Sequence, residues 1–248
     1  MARKLVIFDV DGTLVYSERR DSRCFADTYQ TMFGQALPSI DWTQYPHVTD
    51  TTIFQTVFTQ HFARQARPEE LHRFEEAYLR MLRSRRVLNP GHSREVPGAR
   101  AAVERLLEDE RFVVGIATGG WRRPAIMKLE YVGIPAHRIP LRGADGLHTR
   151  EQILEDLIRT VGVQYPDISS TVYLGDAVWD VQTTANLGLG FLGIRWRGDK
   201  QVLEAHGARA VLRNYLNFEG FLDCLQQARP PRTPGKASPD RPAPGRPV

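Results

Sequence analysis

The strongest constraint on this chain is a repeated pattern: a short, unbroken apolar run that ends on acids, hydroxyls or glycines and gives way to a helical stretch. Leu5-Val6-Ile7-Phe8 runs into Asp9-Val10-Asp11-Gly12-Thr13-Leu14. Residues 112–117 run into Thr118-Gly119-Gly120, and residues 171–174 into Gly175-Asp176-Ala177-Val178-Trp179-Asp180. Residues 189–194 form a fourth run and 210–212 a short fifth. A run that is apolar at every position, not at alternate ones, suits a parallel strand buried on both faces. Between the runs, residues 98–108, 124–132, 150–161 and 178–187 have helical spacing; Ile153, Leu154, Leu157, Ile158 and Val161 share one face. Strands alternating with helices of this length predict an α/β fold, a doubly wound, Rossmann-like parallel sheet.

One interval breaks the rhythm. Residues 15–92 contain no convincing buried strand and read as helices at 21–33, 50–62 and 68–86. The second carries Ile53, Phe54, Val57, Phe58 and Phe62 as an apolar stripe, with Asp50 and Thr51 as capping candidates. The expectation is a catalytic core at 1–14 and 93–228, with an all-helical cap inserted at 15–92 and Asn89-Pro90-Gly91 as the return hinge. The segment 229–248 holds seven prolines and five bases against Asp240 alone. Such a stretch buries too little apolar surface to offset ordering, so it is expected to be a disordered, basic tail.

The net charge of +4 resides in that tail; without it, acids and bases balance. Nucleic acid is therefore not an expected partner. No apolar run is long enough to span a membrane, and the first residues form a buried strand instead of a signal peptide. Two cysteines, Cys24 and Cys224, make neither a disulfide framework nor a zinc cluster, which suits a reducing cytoplasm.

In open parallel sheets, ligands bind at the carboxyl ends of the strands. Asp9, Asp11, Asp176 and Asp180 converge there with Thr118. Four carboxylates in one cleft repel and raise one another's pKa. A hard divalent cation resolves the conflict, and Mg²⁺ prefers a few carboxylates plus water and substrate phosphate. Gly12 permits a sharp turn. Thr13, Thr118 and the N–H groups of Gly119 and Gly120, close to a helix start, are candidates to receive phosphate oxygens.

These three motifs, DVDGTL at 9–14, ATGG at 117–120 and YLGDAVWD at 173–180, resemble those of the haloacid dehalogenase-like hydrolase superfamily. The likeness covers the sheet domain, and the place of the insert is similar to the helical C1 cap of the phosphoglycolate phosphatase-like branch. The resemblance implies a Mg²⁺-dependent phosphatase acting on a small phosphorylated metabolite. In that scheme Asp9 attacks phosphorus and becomes an aspartyl phosphate, and Asp11 serves as acid and then base. Asp9, the Asp11 carbonyl and Asp176 would hold Mg²⁺ with help from Asp180, and Thr118 and the Gly119 N–H would bind the phosphoryl group.

The family also places a Lys or Arg about 25 residues before the last acidic motif to neutralise the nucleophile. Arg150 precedes Asp176 by 26 positions and takes that role, with Lys128 as rival. Lys128 otherwise reads as a surface lysine on its helix. Arg19, Arg20 and Arg23, His47 and Asp50 are further cleft candidates, although Asp50 reads more simply as a helix cap. Trp121 is either a pocket wall or packing. His148 has no ligand spacing. A phosphomutase of the same fold and a non-catalytic binding protein are the competing functions, and a dehalogenase is disfavoured because Asp11 is present. The sequence leaves the substrate and the oligomeric state open.

Overall fold

A computed structural model describes residues 2–17, 20–89, 91 and 93–232. Strand β1 (Arg3–Phe8) is followed by the two-residue strand β2 (Val15–Tyr16). Helices α1 (Arg20–Phe33), α2 (Asp50–Phe62) and α3 (Pro68–Leu88) come next. Strand β3 (Arg94–Glu95) then pairs antiparallel with β2. The rest alternates: α4 (Ala99–Glu108), β4 (Phe112–Ala117), α5 (Arg122–Tyr131), β5 (Leu141–Arg142), α6 (Arg150–Gln164), β6 (Ile168–Gly175), α7 (Val178–Leu187), β7 (Gly190–Ile194), α8 (Gln201–Ala205), β8 (Val211–Leu212) and α9 (Phe218–Gln227).

The main sheet is parallel, in the order β5-β4-β1-β6-β7-β8. Successive side chains of a strand point to opposite faces. Leu5 and Ile7 of β1 therefore join Leu157 of α6 and Val181 of α7 on one side. Val6 and Phe8 join Val103 of α4, Leu129 of α5 and Phe221 of α9 on the other. All four β1 side chains are fully buried, each worth roughly 1.5–3 kcal/mol relative to exposure. This is the doubly wound α/β sheet expected from the apolar runs. Because β1 lies between β4 and β6, the order reverses at β1, and the carboxyl ends of these three strands open onto one crevice.

The inserted helices have an aromatic core. Phe25 of α1 and Phe54 of α2 lie 4.9 and 4.7 Å from Phe74 of α3, ring centre to ring centre. Trp121, just ahead of α5, stacks 5.9 Å from Phe25 and continues that core into the sheet domain. It is packing, not pocket wall, and only 1% exposed.

Three departures from the sequence reading have local causes. Strand β5 is two residues long, between Pro140 and Gly143, too short to leave a periodicity. The insert is not purely helical: Val15–Tyr16 forms a ribbon with Arg94–Glu95 that ties the outgoing chain to the returning one. Residues 229–232 of the expected tail are attached, the Arg229 carbonyl accepting from Phe191 N at 3.1 Å and Arg232 N donating to Gly207 O at 2.8 Å. These bonds use edges that β7 and the α8 turn leave unpaired. The rest of that tail, Arg19 and Pro90 of the hinge lie outside the described residues. Among the described residues no helix is long and apolar enough to cross a membrane, and both cysteines are free thiols.

Candidate active site

The crevice is a cleft of about 700 Å³ lined by Asp9, Asp11, Thr118, Lys128, Arg150 and Asp176 among others. Each of the three central strands delivers one part. β1 ends in a tight loop in which Gly12 N donates to Val15 O at 2.7 Å and Leu14 N to Val10 O at 2.9 Å. Gly12 sits at φ +82°, and a Cβ there would collide with the Asp176 carboxylate. Only glycine allows the β1 and β6 loops to approach this closely.

Asp9 is 2% exposed, and Asp9 N is anchored to Leu174 O of β6 at 2.9 Å. Its Oδ1 is buried without a hydrogen-bond partner and lies 3.6 Å from Arg150 Nη1. Burial pushes the Asp9 carboxyl up to about 7, against the pull of Arg150 and with a further push from Asp180 and Asp11. Asp176 is raised well above the ordinary carboxylate range for the same first reason, burial, followed by the charges of Asp180 and Asp9. Asp9, Asp176 and Asp180 each offer a carboxylate oxygen, and the three oxygens lie within 4.8 Å of one another. A buried, unpartnered carboxylate oxygen beside two further acids fits a hard divalent cation. Asp11 stands apart from this cluster: both its oxygens lie 2.8 Å from Lys128 Nζ.

Asp180 is fully buried and well supplied with donors. Its Oδ2 accepts from the N–H groups of Asp176 and Ala177 at 3.1 and 3.0 Å, and its Oδ1 from Arg150 Nη1 at 2.8 Å. It thus shapes the turn into α7 and holds Arg150. Arg150 opens α6, which Thr149 caps by accepting from Gln152 N at 3.2 Å. Its guanidinium also reaches the Tyr173 hydroxyl at 3.2 Å and the Val48 carbonyl at 3.3 Å. Between Arg150 and Lys128, the geometry gives the Asp9 contact to Arg150. Lys128 is not a surface lysine: its side chain is 6% exposed and also lies 3.2 Å from Asp21.

In the β4 loop, Thr118 Oγ1 accepts from Gly120 N at 3.1 Å, which leaves its own proton free to be donated. Gly120 N is therefore committed to the turn instead of an incoming phosphate, contrary to the sequence reading. Thr13 is also displaced from its expected role: it is fully buried behind the cleft, and its carbonyl accepts from Tyr215 OH at 3.2 Å. Gly119 lies where a Cβ would strike the Val48 carbonyl and crowd Arg150.

The insert is stitched to this loop. Asp50 N donates to Gly119 O at 2.8 Å, and Trp121 N donates to Asp50 Oδ2 at 3.1 Å. The helix cap is Thr49, not Asp50; burial pushes the Asp50 carboxyl up to about 7, with Lys128 drawing it down. Thr49 and Thr52 hydroxyls both donate to the His148 carbonyl, at 2.9 and 2.8 Å. His148 thus contributes backbone alone to these bonds, and His47 and Arg23 are exposed. Arg20 donates to the Gly91 carbonyl at 2.6 Å.

Sequence reasoning missed Asp21 and Arg195, and it weighed Lys128 only as the rival partner of Asp9, not as the partner of Asp11. Arg195 Nη1 donates to the Asp176 carbonyl at 2.7 Å and steadies that loop. The available signal was a charge on an apolar stripe: Lys128 sits with Ala125 and Leu129, and Asp21 with Cys24 and Phe25.

A family profile described as haloacid dehalogenase-like hydrolase matches residues 3–188. The chain belongs to that family. This hydrolase is 23% identical over 199 residues to a phosphoglycolate phosphatase of Mesorhizobium japonicum, covering 76% of its own length and 81% of that protein. Its fold is similar to a hydrolase from Pseudomonas syringae (TM-score 0.66, 18% identity, 90% of this chain and 98% of that one). It is also similar to CbbY from Rhodobacter sphaeroides in complex with xylulose-(1,5)bisphosphate (TM-score 0.65, 17% identity, 88% and 96%).

Proposed function

We propose that this hydrolase is a Mg²⁺-dependent phosphatase of small phosphomonoesters that works through an aspartyl phosphate on Asp9. The observation that carries the reading is the buried Asp9 carboxylate: its Oδ1, free of hydrogen bonds, lies 3.6 Å from Arg150, and one of its oxygens lies within 4.8 Å of an oxygen each of Asp176 and Asp180. The relationship to a phosphoglycolate phosphatase supports the substrate class, and a cleft of about 700 Å³ is of a size to take a small metabolite.

The Asp9 carboxylate attacks phosphorus while the P–O ester bond breaks, and Asp11 gives its proton to the departing oxygen. Asp11 then takes a proton from the water that attacks the aspartyl phosphate, freeing inorganic phosphate and restoring Asp9. Arg150 offsets the charge of Asp9 and of the incoming phosphate, and Thr118 donates its hydroxyl proton to a phosphoryl oxygen. Asp9, Asp176 and the Asp11 carbonyl, with Asp180 beside them, would hold Mg²⁺, which supplies charge neutralisation among the acids and on the phosphoryl group. Helices α1–α3 act as the cap, and the free thiols suit the cytoplasm.

The test is a panel of phosphoglycolate, sugar phosphates and nucleoside monophosphates, read as phosphate released with and without Mg²⁺. Metal-dependent release that disappears in Asp9→Asn is the expected result. Undiminished turnover in that variant defeats the reading, and a rearranged phosphate ester without free phosphate identifies a mutase instead.

A further inference from the structure

Helix α5 carries Lys128 where its apolar stripe asks for a hydrophobe. Its side chain is 6% exposed, and its Nζ lies 2.8 Å from both Asp11 oxygens and 3.2 Å from Asp21 Oδ2 of α1. Arg86 of α3, with a 4% exposed side chain, lies 3.7 Å from the same Asp21 oxygen and donates to Ser93 Oγ at 2.7 Å. Charges therefore alternate from α3 through α1 and α5 to the β1 loop. Asp50 and Tyr78 also face Lys128.

Burying an ammonium costs several kcal/mol unless it is paired, and fixing a long lysine side chain costs further conformational entropy. Packing alone is met by methionine, which has nearly the same length and no charge. The charge must therefore serve the acids it joins. Asp21 is 6% exposed and fixed on a helix, whereas Asp11 sits on a loop at the cleft. The ammonium is thus braced on the insert side and presents its other contact to Asp11.

We propose that Lys128 is a positioning residue that orients Asp11 toward the ester oxygen of the substrate, with Asp21 holding Lys128 in place from the insert. The inference rests on the phosphatase reading above. When the P–O bond breaks, the proton that Asp11 delivers matters most for an alkyl ester, whose leaving alkoxide is strongly basic. A nitrophenolate departs without it. Loss of Asp11 positioning should therefore penalise alkyl esters selectively, whereas a general loss of packing penalises both alike.

The experiment measures kcat/KM with Mg²⁺ for p-nitrophenyl phosphate and for the best alkyl phosphomonoester of the panel, in the wild type, Lys128→Met and Asp21→Asn. The ratio of the two values is internal to each preparation, so a partly unfolded sample does not distort it. In Lys128→Met the alkyl value is expected to fall on the order of 10²-fold or more, about tenfold further than the aryl value. Asp21→Asn should move the ratio in the same direction by less. An unchanged alkyl-to-aryl ratio in either folded variant overturns the proposal. A wild type inert on both esters defeats the phosphatase reading itself, and this inference with it.

Discussion

Asp9 and Asp11 are two positions apart on one turn, yet their surroundings differ. Asp9 is sealed at the end of β1 with Arg150 3.6 Å away, whereas Asp11 faces the cleft on Lys128. Two substitutions test the residue-level account. Gly12→Ala forces a Cβ into the Asp176 carboxylate at a positive φ; we expect Mg²⁺ affinity to fall on the order of tenfold or more, as supporting-shell changes do, measured by calorimetric titration. Arg150→Met strips the buried Asp180 of its cation. Leaving that charge uncompensated should cost about 3–5 kcal/mol in urea unfolding. A loss below about 1 kcal/mol would show that the backbone N–H groups of Asp176 and Ala177 suffice to hold Asp180. Arg150 was legible only through the family resemblance, which implies a cation at about this distance before the last acidic motif. Lys128 was not, since its partners come from α1 and the β1 loop, far away along the chain.

At the scale of elements, α2 is more than a rod in the insert. Its first turn is bonded to the loops after β4 and β5. Thr51 accepts from Trp121 Nε1 at 2.9 Å and donates to the Ala144 carbonyl at 2.5 Å. Thr51→Val keeps the shape but strands the Trp121 indole N–H in a buried place and leaves the Ala144 carbonyl only its 3.3 Å bond from Leu147 N. The expected loss is about 1–3 kcal/mol, checked by thermal unfolding. Thr51→Ser, which retains the hydroxyl, should recover most of it. The helix itself was legible from its apolar stripe. Its dock was not, because capping chemistry at 49–52 looks the same whether the hydroxyls meet their own helix or a neighbouring loop. Phe74 is the packing centre of the insert; Phe74→Ala is expected to cost about 3–5 kcal/mol.

For the whole molecule, the buried acids make stability depend on pH and metal together. The folded Asp9 carboxyl titrates near 7 against an ordinary value of 3.8, and Asp176 is raised too. A carboxyl whose folded pKa is raised holds its proton in the folded state after the unfolded chain has lost it. Its contribution is therefore fully present below about 4 and is lost as pH rises through about 7. Without metal, the melting temperature should drop across that window, net of other groups. Asp9→Asn, which cannot ionise there, should flatten part of the drop. On the proposed function Mg²⁺ would bind the ionised acids, so adding it should raise the melting temperature more at pH 8 than at pH 5. An equal metal effect at both pH values would contradict this linkage.

The sequence by itself determined the doubly wound sheet, because strands buried on both faces must be apolar at every position. It also determined where Asp9, Thr118, Asp176 and Asp180 meet, because parallel strands deliver whatever follows them to the same edge; Arg150 was implied only by the family resemblance. Tertiary structure alone decided the rest. It gave Asp9 to Arg150 and Asp11 to Lys128, turned Gly120 N to the Thr118 hydroxyl, and buried Thr13 behind the cleft. It also paired Val15–Tyr16 with Arg94–Glu95. Apart from the Gly120–Thr118 bond, which closes within one turn, each of these outcomes joins residues far apart in the chain that meet only in the folded structure. Periodicity records which face a residue takes, but not the partner it meets there.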